Sequence, residues 1–148
     1  MRLYMDTCCL KRPYDDQTQS RIRAETEAIQ IIRDAIENGR FTWSGSEILN
    51  YENSRNPDSD RRERVNAVIG QVSGVVELTD AIEQRAAHLE SLGFAALDAL
   101  HLASAESAKV SVLLTCDEAF LKIAKRHFDS LQAPVRVQNP ITFLEEVV

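Results

Sequence analysis

The chain has 148 residues, of which 44% are hydrophobic and 27% are charged. That length and composition predict one globular domain spanning residues 1–148. The net charge of −6 argues against a protein that binds nucleic acid through a broad positive surface. No apolar run is long enough to span a bilayer, and the first residues lack the apolar stretch of a signal peptide. We therefore expect a cytoplasmic protein with no membrane partner.

Short β-prone runs alternate with helical periodicity along the whole chain, with a loop expected between the first strand and the first helix. This alternation predicts an α/β sandwich around a parallel sheet. The helix at 97–108 has no polar stripe, so we expect it to be mostly buried. The predicted strands lie at residues 2–6, 41–43, 75–78, 110–115 and 135–137, and the predicted helices at 18–38, 46–54, 58–72, 79–92, 97–108, 117–126 and 140–146.

Two aspartates follow predicted strands at the point where each strand ends. Asp6 closes the first strand, and Asp117 comes two residues after the apolar run that ends at Thr115. Ligands of open parallel sheets bind at the carboxyl ends of the strands, so both aspartates are candidates for a site. Each also has a structural interpretation, because aspartate is a common turn former and helix N-cap.

A third aspartate, Asp98, opens the helix that is expected to be buried. A buried carboxylate without a partner costs several kcal/mol, so a cation, an arginine or a buried hydrogen bond must compensate it. Glu47 and Glu52 lie about 140° apart around the preceding helix and cannot both face one site. We assign Glu52 to the site and Glu47 to the first helical turn, where acids favour the helix dipole.

Three or four carboxylates from separate elements suit a hard divalent cation. Mg²⁺ and Mn²⁺ prefer oxygen ligands and leave coordination positions open for water and phosphate. Such a site can activate a water and offset charge on the leaving oxygen of a phosphodiester. The predicted metal ligands are Asp6, Asp98 and Asp117, and the predicted catalytic residues are these three together with Glu52.

Four segments resemble, in order, the motifs of the PIN-domain family. They are Met5-Asp6-Thr7, Ser46 followed six residues later by Glu52, the segment 97–105, and the segment 114–120. The resemblance implies a three-layer α/β/α sandwich with a central parallel five-stranded sheet in the order 3-2-1-4-5. It also implies a VapC-like endoribonuclease of a toxin-antitoxin pair that uses Mg²⁺ or Mn²⁺, binds an antitoxin protein and forms a homodimer.

Other residues near these motifs have two interpretations each. Thr115 can orient a carboxylate or water, although a threonine at a strand end is also ordinary. His101 lies one turn beyond Asp98, and we interpret it as a hydrogen-bonded core residue rather than a catalytic base. Two basic clusters either contact RNA phosphates or form solvated helix faces; they are Arg55, Arg61 and Arg62 with Arg64, and Lys122, Lys125 and Arg126.

Three cysteines, Cys8, Cys9 and Cys116, form neither a disulfide framework nor a CxxC spacing. We interpret them as small, packable residues near strand ends. The family fold would place all three after neighbouring strands, where oxidation could distort the metal site.

Two other functions compete with the nuclease. A PIN-fold module could bind RNA or a protein without cleaving, but the four acidic residues argue against the inactive form. A phosphotransferase using Asp6 as nucleophile, as in haloacid-dehalogenase-like enzymes, would place a second aspartate two residues later. That position is Cys8, which excludes this alternative.

Overall fold

The computed structural model describes residues 1–131 and 135–147. A five-stranded sheet runs through the middle of the molecule in the order β3-β2-β1-β4-β5, and all four neighbouring pairs are parallel. The sheet order implied by the motifs is therefore confirmed. The strands are β1 (Arg2–Met5), β2 (Thr42–Ser46), β3 (Gly74–Val76), β4 (Val112–Leu114) and β5 (Arg136–Gln138).

Helices flank the sheet and complete the α/β/α sandwich. Within the described ranges they are α1 (Thr7–Lys11), α2 (Ser20–Glu37), α3 (Glu47–Ser54), α4 (Ser59–Ile69), α5 (Asp80–Ser91), α6 (Ala96–Ser107), α7 (Glu118–Arg126) and α8 (Pro140–Val147). Among the described residues, none of these helices has the length and apolar content needed to cross a membrane.

The core lies on both sides of the two central strands. Leu3, Tyr4 and Met5 of β1 and Leu113 and Leu114 of β4 are fully buried, as expected for parallel strands that are covered on both faces. Helix α6 packs into the same core. The predicted burial of this helix is confirmed for the residues of its last two turns, which are Ala99, His101, Leu102, Ala103, Ser104, Ala105 and Glu106.

Three helix starts could be predicted from the side chain at the N-cap position. Ser46, Thr79 and Asp117 each accept a hydrogen bond from a backbone N–H of the helix that follows, at 2.9–3.3 Å. A side-chain oxygen at the N-cap satisfies one of the backbone donors that a helix start leaves free. These caps fix where α3, α5 and α7 leave the carboxyl edge of the sheet.

The loop predicted after the first strand is wrong at its start, where α1 and a 3₁₀ turn over Arg12–Tyr14 follow β1. Asp6 is the N-cap of this helix, because its side chain accepts the N–H of Cys9. The predicted strand at 41–43 also extends further, to Ser46. Its Gly45 lies so close to Val72 that an added Cβ would be 3.0 Å from the Val72 Cγ1 atom.

Other boundaries shift by one to three residues. The helix predicted to reach Val72 ends at Ile69, and the strands predicted at 75–78 and 110–115 are Gly74–Val76 and Val112–Leu114. Strand order reverses between β1 and β4, since the chain passes from β1 outward to β3 and then returns to β4. The carboxyl ends of these two strands therefore form the crevice in which ligands of such sheets bind.

Candidate active site

Asp6 lies at the end of β1 and is only 2% exposed. Its two oxygens are held separately, because Oδ1 accepts the Cys9 N–H at 3.2 Å and Oδ2 accepts the Thr115 hydroxyl at 2.5 Å. Burial raises the pKa of Asp6 to about 6, although His101 and these two hydrogen bonds oppose the shift. Thr115 therefore orients a carboxylate, as one of its two interpretations predicted.

Asp98 is the third residue of α6 and is half-buried. Its side chain forms no hydrogen bond or ion pair with any residue that the structure describes. Burial, followed by the negative charges of Asp6 and Asp117, raises the pKa of Asp98 to about 7. The carboxylates of three separate elements are thus close enough to repel one another, and no arginine neutralises Asp98 within the described chain.

Asp117 is the N-cap of α7. Its Oδ1 accepts the N–H groups of Ala119 at 2.9 Å and Phe120 at 3.3 Å, while its own N–H donates to the Thr115 hydroxyl at 3.1 Å. The structural interpretation of Asp117 is therefore correct. Asp117 can also belong to a site, because capping uses only its Oδ1 atom and its charge still acts on Asp98.

Glu52 faces the cluster, whereas Glu47 is exposed in the first turn of α3. The Oε1 atom of Glu52 accepts hydrogen bonds from Thr7 Oγ1 and, at 2.8 Å, from His101 Nε2. Burial alone would raise the pKa of Glu52, but these hydrogen bonds and the electrostatic effects of His101 and Lys11 together outweigh burial and lower it. Glu52 is therefore ionised at a lower pH than Asp6 and Asp98, which keep their protons longer as the pH rises.

A buried chain of hydrogen bonds leads to Glu52 from the core. The Tyr4 hydroxyl lies 2.6 Å from both Ser46 Oγ and His101 Nδ1. Ser46 Oγ also accepts the Leu49 N–H, which holds this hydroxyl beside Tyr4. His101 Nε2 donates to Glu52, because an ionised carboxylate can only accept, so each of these groups has a partner.

This chain of contacts was not predicted, although His101 is the hydrogen-bonded core residue that the sequence suggested. A usable signal was present, because Tyr4 and Asp6 are two residues apart on one strand and so point to the same face. Asp98 and His101 likewise lie one helical turn apart.

His101→Asn and His101→Gln are expected to behave differently if His101 orients Glu52. Glutamine can place an N–H donor near the Nε2 position, whereas asparagine reaches only the Nδ1 position. We expect His101→Asn to lower kcat by about 10–100-fold, which is part of the roughly 10²–10⁴-fold that a positioned general base contributes, and His101→Gln to retain most activity. Nitrogen NMR of labelled histidine should show that Nε2 of His101 carries a proton, as its hydrogen bond to Glu52 requires. Equal kcat for the two variants at equal Tm, or an unprotonated Nε2, would contradict the assignment.

The first basic cluster is largely engaged within the protein. Arg61 pairs with Asp15 at 3.3 Å, Arg62 donates to the Asn56 carbonyl at 2.8 Å, and Arg55 contacts the Tyr51 ring and hydroxyl. Arg64 lies over a tyrosine ring as well. The role of Arg55, Arg61 and Arg62 in RNA contact stays a prediction, but these contacts stabilise the α3–α4 region whether or not RNA binds.

The cysteines line the turns that carry Asp6 and Asp117. Cys9 Sγ lies 3.8 Å from Cys116 Sγ, and both side chains are buried. Burial raises the pKa of the Cys8 and Cys9 thiols above the ordinary range, so little thiolate is present at neutral pH. These features favour the packing interpretation.

Thiol labelling tests this interpretation. Because the thiolate is the reactive form, a disulfide reagent should modify the native cysteines at least about 100-fold more slowly than those of the urea-unfolded chain. Rapid labelling of Cys9 or Cys116 in the native protein would instead support sensitivity to oxidation.

The donor set suits a hard cation, although the side chains are not gathered around one point. No group of three or more His, Cys, Asp or Glu side chains in residues 1–131 and 135–147 is arranged to hold a metal ion. Asp98 nevertheless has no compensating partner in those ranges, and Asp6, Asp117 and Glu52 act on it electrostatically. Oxygen ligands with uncompensated negative charge are the ligands that Mg²⁺ and Mn²⁺ prefer.

The strand order and the carboxylates at its reversal define an α/β protein with an acidic crevice. The chain belongs to the PIN-domain family, whose model matches residues 4–126. By fold it resembles a chain in the crystal structure of VapBC2 from Rickettsia felis bound to a DNA fragment from their promoter. The TM-score is 0.61 at 11% identity, and the match covers 94% of this chain and 98% of that chain. No curated protein sequence matches this chain.

Proposed function

We propose that this chain is a divalent-cation-dependent endoribonuclease. One observation carries the proposal. Asp98 has no compensating partner in the described chain, and its pKa is raised to about 7 by burial and by Asp6 and Asp117. A cluster of this kind destabilises the protein unless a cation binds, and strongly perturbed carboxylates in a crevice favour a functional site. Membership of the PIN-domain family supports the same function.

Asp6, Asp98 and Asp117 would hold Mg²⁺ or Mn²⁺. When bound, the cation supplies a Lewis acid that activates water and offsets charge on a phosphodiester. The protein fixes the ligands in advance, because Thr115 and Cys9 hold Asp6 and the start of α7 holds Asp117. Asp98 lacks such contacts in the described chain and is the ligand with the most freedom to adjust.

Glu52 would orient the attacking water and accept its proton. Its Oε1 atom already accepts hydrogen bonds from Thr7 and His101, so Oε2 is the atom available to a water. The lowered pKa keeps Glu52 ionised and able to accept a proton. The site therefore combines one fixed base with three ligand carboxylates.

The toxin role of a toxin-antitoxin pair is part of the proposal. Its support is the similarity of the fold to a chain of the VapBC2 structure together with the PIN family. We further propose that the chain forms one domain and binds an antitoxin protein. We also propose that it forms a homodimer, which can be tested by analytical ultracentrifugation. A monomer at micromolar concentration would contradict the dimer and leave the nuclease proposal unaffected.

The deciding experiment combines calorimetry of Mg²⁺ and Mn²⁺ binding with cleavage of a mixed-sequence single-stranded RNA. We expect binding of at least one cation and cleavage that stops when the cation is removed by chelation. End analysis should show 3′-hydroxyl and 5′-phosphate products. If the chain binds neither cation and leaves the RNA intact, the alternative of a non-cleaving RNA- or protein-binding module replaces the nuclease.

A further inference from the structure

The cations without internal contacts are placed unevenly on this acidic protein. Within the described residues, the side chains of Arg126 and Lys122 form no hydrogen bond, ion pair or ring contact. Every other arginine donates a hydrogen bond, pairs with a carboxylate or lies over an aromatic ring. Arg126 is therefore an exception among the arginines within the described chain, and Lys122 is a cation without a partner on the same helix.

These two cations border a depression beside Asp98. It has a volume of about 340 Å³, and Asp98, Lys122 and Arg126 all line it. Lys122 and Arg126 are four residues apart on α7 and share one face of that helix. The same depression thus connects the carboxylate cluster with two cations that have no partner in the described chain.

The floor of the depression is small and apolar. Gly93 and Ala95 contribute from the segment before α6, and Ala119 and Ile123 contribute from α7. Gly93 adopts a φ of +113°, a backbone conformation that favours glycine, and an added Cβ would lie 2.9 Å from Ile123 Cδ1. The volume falls within the range of roughly 300–1,000 Å³ that is usual for small-ligand pockets.

We infer that this depression is a nucleotide subsite of the RNA path, with Arg126 and Lys122 binding a phosphate and the apolar floor receiving one base. The inference rests on the proposed function and deepens it, since it locates the RNA beside Asp98 rather than along α3 and α4. A base that enters a depression must be unstacked and unpaired, which selects single-stranded over duplex RNA.

A further cation acts on the carboxylate cluster. The side chain of Lys11 forms no hydrogen bond or ion pair with residues 1–131 or 135–147, yet its charge acts on Glu52. An RNA strand that extends from Arg126 past Asp98 towards Glu52 would also meet the positive charge of Lys11. Arg126 also lies in the last turn of α7, where cations favour the helix dipole, so a structural role is the competing explanation for this residue.

Lys125 separates the two explanations, because it lies on the same last turn of α7 but lines a different depression, with Phe128 and Arg136. Binding of a fluorescein-labelled mixed-sequence 12-nucleotide RNA should be measured by anisotropy over a range of salt concentrations. Ca²⁺ replaces Mg²⁺ as the cation, and a gel after each titration checks that the RNA is intact.

Arg126→Ala is expected to raise Kd roughly tenfold, the lower range for hydrogen bonds to charged groups, and to reduce the slope of log Kd against log salt by about 0.7. Lys125→Ala should change Kd by no more than about twofold. Ala119→Leu, which fills the depression without changing charge, should raise Kd about fivefold or more and leave the salt slope unchanged.

Equal Kd and equal slope for Arg126→Ala and Lys125→Ala would overturn the phosphate contact. Duplex RNA that binds as tightly as single-stranded RNA, or an Ala119→Leu variant that binds like wild type, would overturn the base subsite. These outcomes are independent of cleavage. If the protein cuts RNA but its Kd for RNA does not depend on Arg126, this inference is refuted and the nuclease proposal stands. If Arg126 contributes to RNA binding but the protein does not cut RNA, only the nuclease proposal is refuted.

Discussion

Replacing Asp98 by asparagine is expected to lower metal-dependent RNA cleavage by more than about 100-fold, because loss of a mere partner of a metal ligand already costs 10–100-fold. Asparagine keeps the shape of the side chain but removes the charge. Asp6→Asn should have an effect of the same size, with weaker Mn²⁺ binding in calorimetry for both variants. Asp98→Asn should also melt no lower than wild type without the cation, since it removes charge that is repelled by Asp6 and Asp117.

The matched control is Asp34→Asn on α2, where the aspartate is exposed and accepts a hydrogen bond from Gln30 at 3.0 Å. It makes the same chemical change outside the carboxylate cluster and should leave cleavage unchanged. Helix α3 offers a second pair, in which Glu52→Gln should lose activity and the exposed Glu47→Gln should keep it. Wild-type activity in Asp98→Asn, or equal losses in Asp98→Asn and Asp34→Asn, would remove Asp98 from the site.

The alternation of strands and helices could be predicted because it depends on the pattern of apolar and capping residues within each short segment. Central parallel strands are apolar on both faces, so β1 and β4 appear as continuous apolar runs. Helix starts at Ser46, Thr79 and Asp117 depend on a side chain that bonds to the backbone within three residues. The sheet order came from the motif resemblance.

Strand ends could not be predicted because pairing, rather than apolarity, decides them. Val110 is buried but lies outside β4, whose register with its neighbours spans only Val112–Leu114. An apolar run reports burial, whereas a strand requires hydrogen-bonding partners. Helix α1 was missed because five residues are too few to show helical periodicity; its start depends on Asp6, which the sequence offered equally as a turn former.

The sequence was informative about which carboxylates face the crevice and less informative about what holds them. Asp6, Asp117 and Glu52 all act electrostatically on Asp98, in agreement with the predicted grouping, while their roles as ligands and catalyst stay predictions. The contacts from Tyr4 and Thr7 join residues 42–97 positions apart, a separation that no local pattern encodes. Arg61 looked available for RNA because its partner Asp15 is likewise distant in sequence.

Without a divalent cation, the protein is expected to become less stable as the pH rises from 5 to 8. Asp6 and Asp98 have pKa values raised to about 6 and about 7, whereas an unfolded aspartate titrates near 3.9. Between those values the folded chain retains protons that the unfolded chain has released. The stabilisation is therefore complete below about pH 4 and is lost as the pH rises through 6 and 7. Glu52, with a lowered pKa, acts in the opposite direction but only at more acidic pH.

Thermal melting in the presence of a chelator should therefore show Tm falling by roughly 5 °C across this range. Histidines titrate in the same window, so Asp98→Asn is the necessary comparison, and its Tm should fall less and be higher than that of wild type at pH 8. Mg²⁺ or Mn²⁺ should raise the wild-type Tm most at pH 8, where the carboxylates are ionised, and should stabilise Asp98→Asn less. Parallel curves of Tm against pH for wild type and Asp98→Asn would show that the charge of Asp98 is not repelled by its neighbours. That result would contradict a cation site at this cluster.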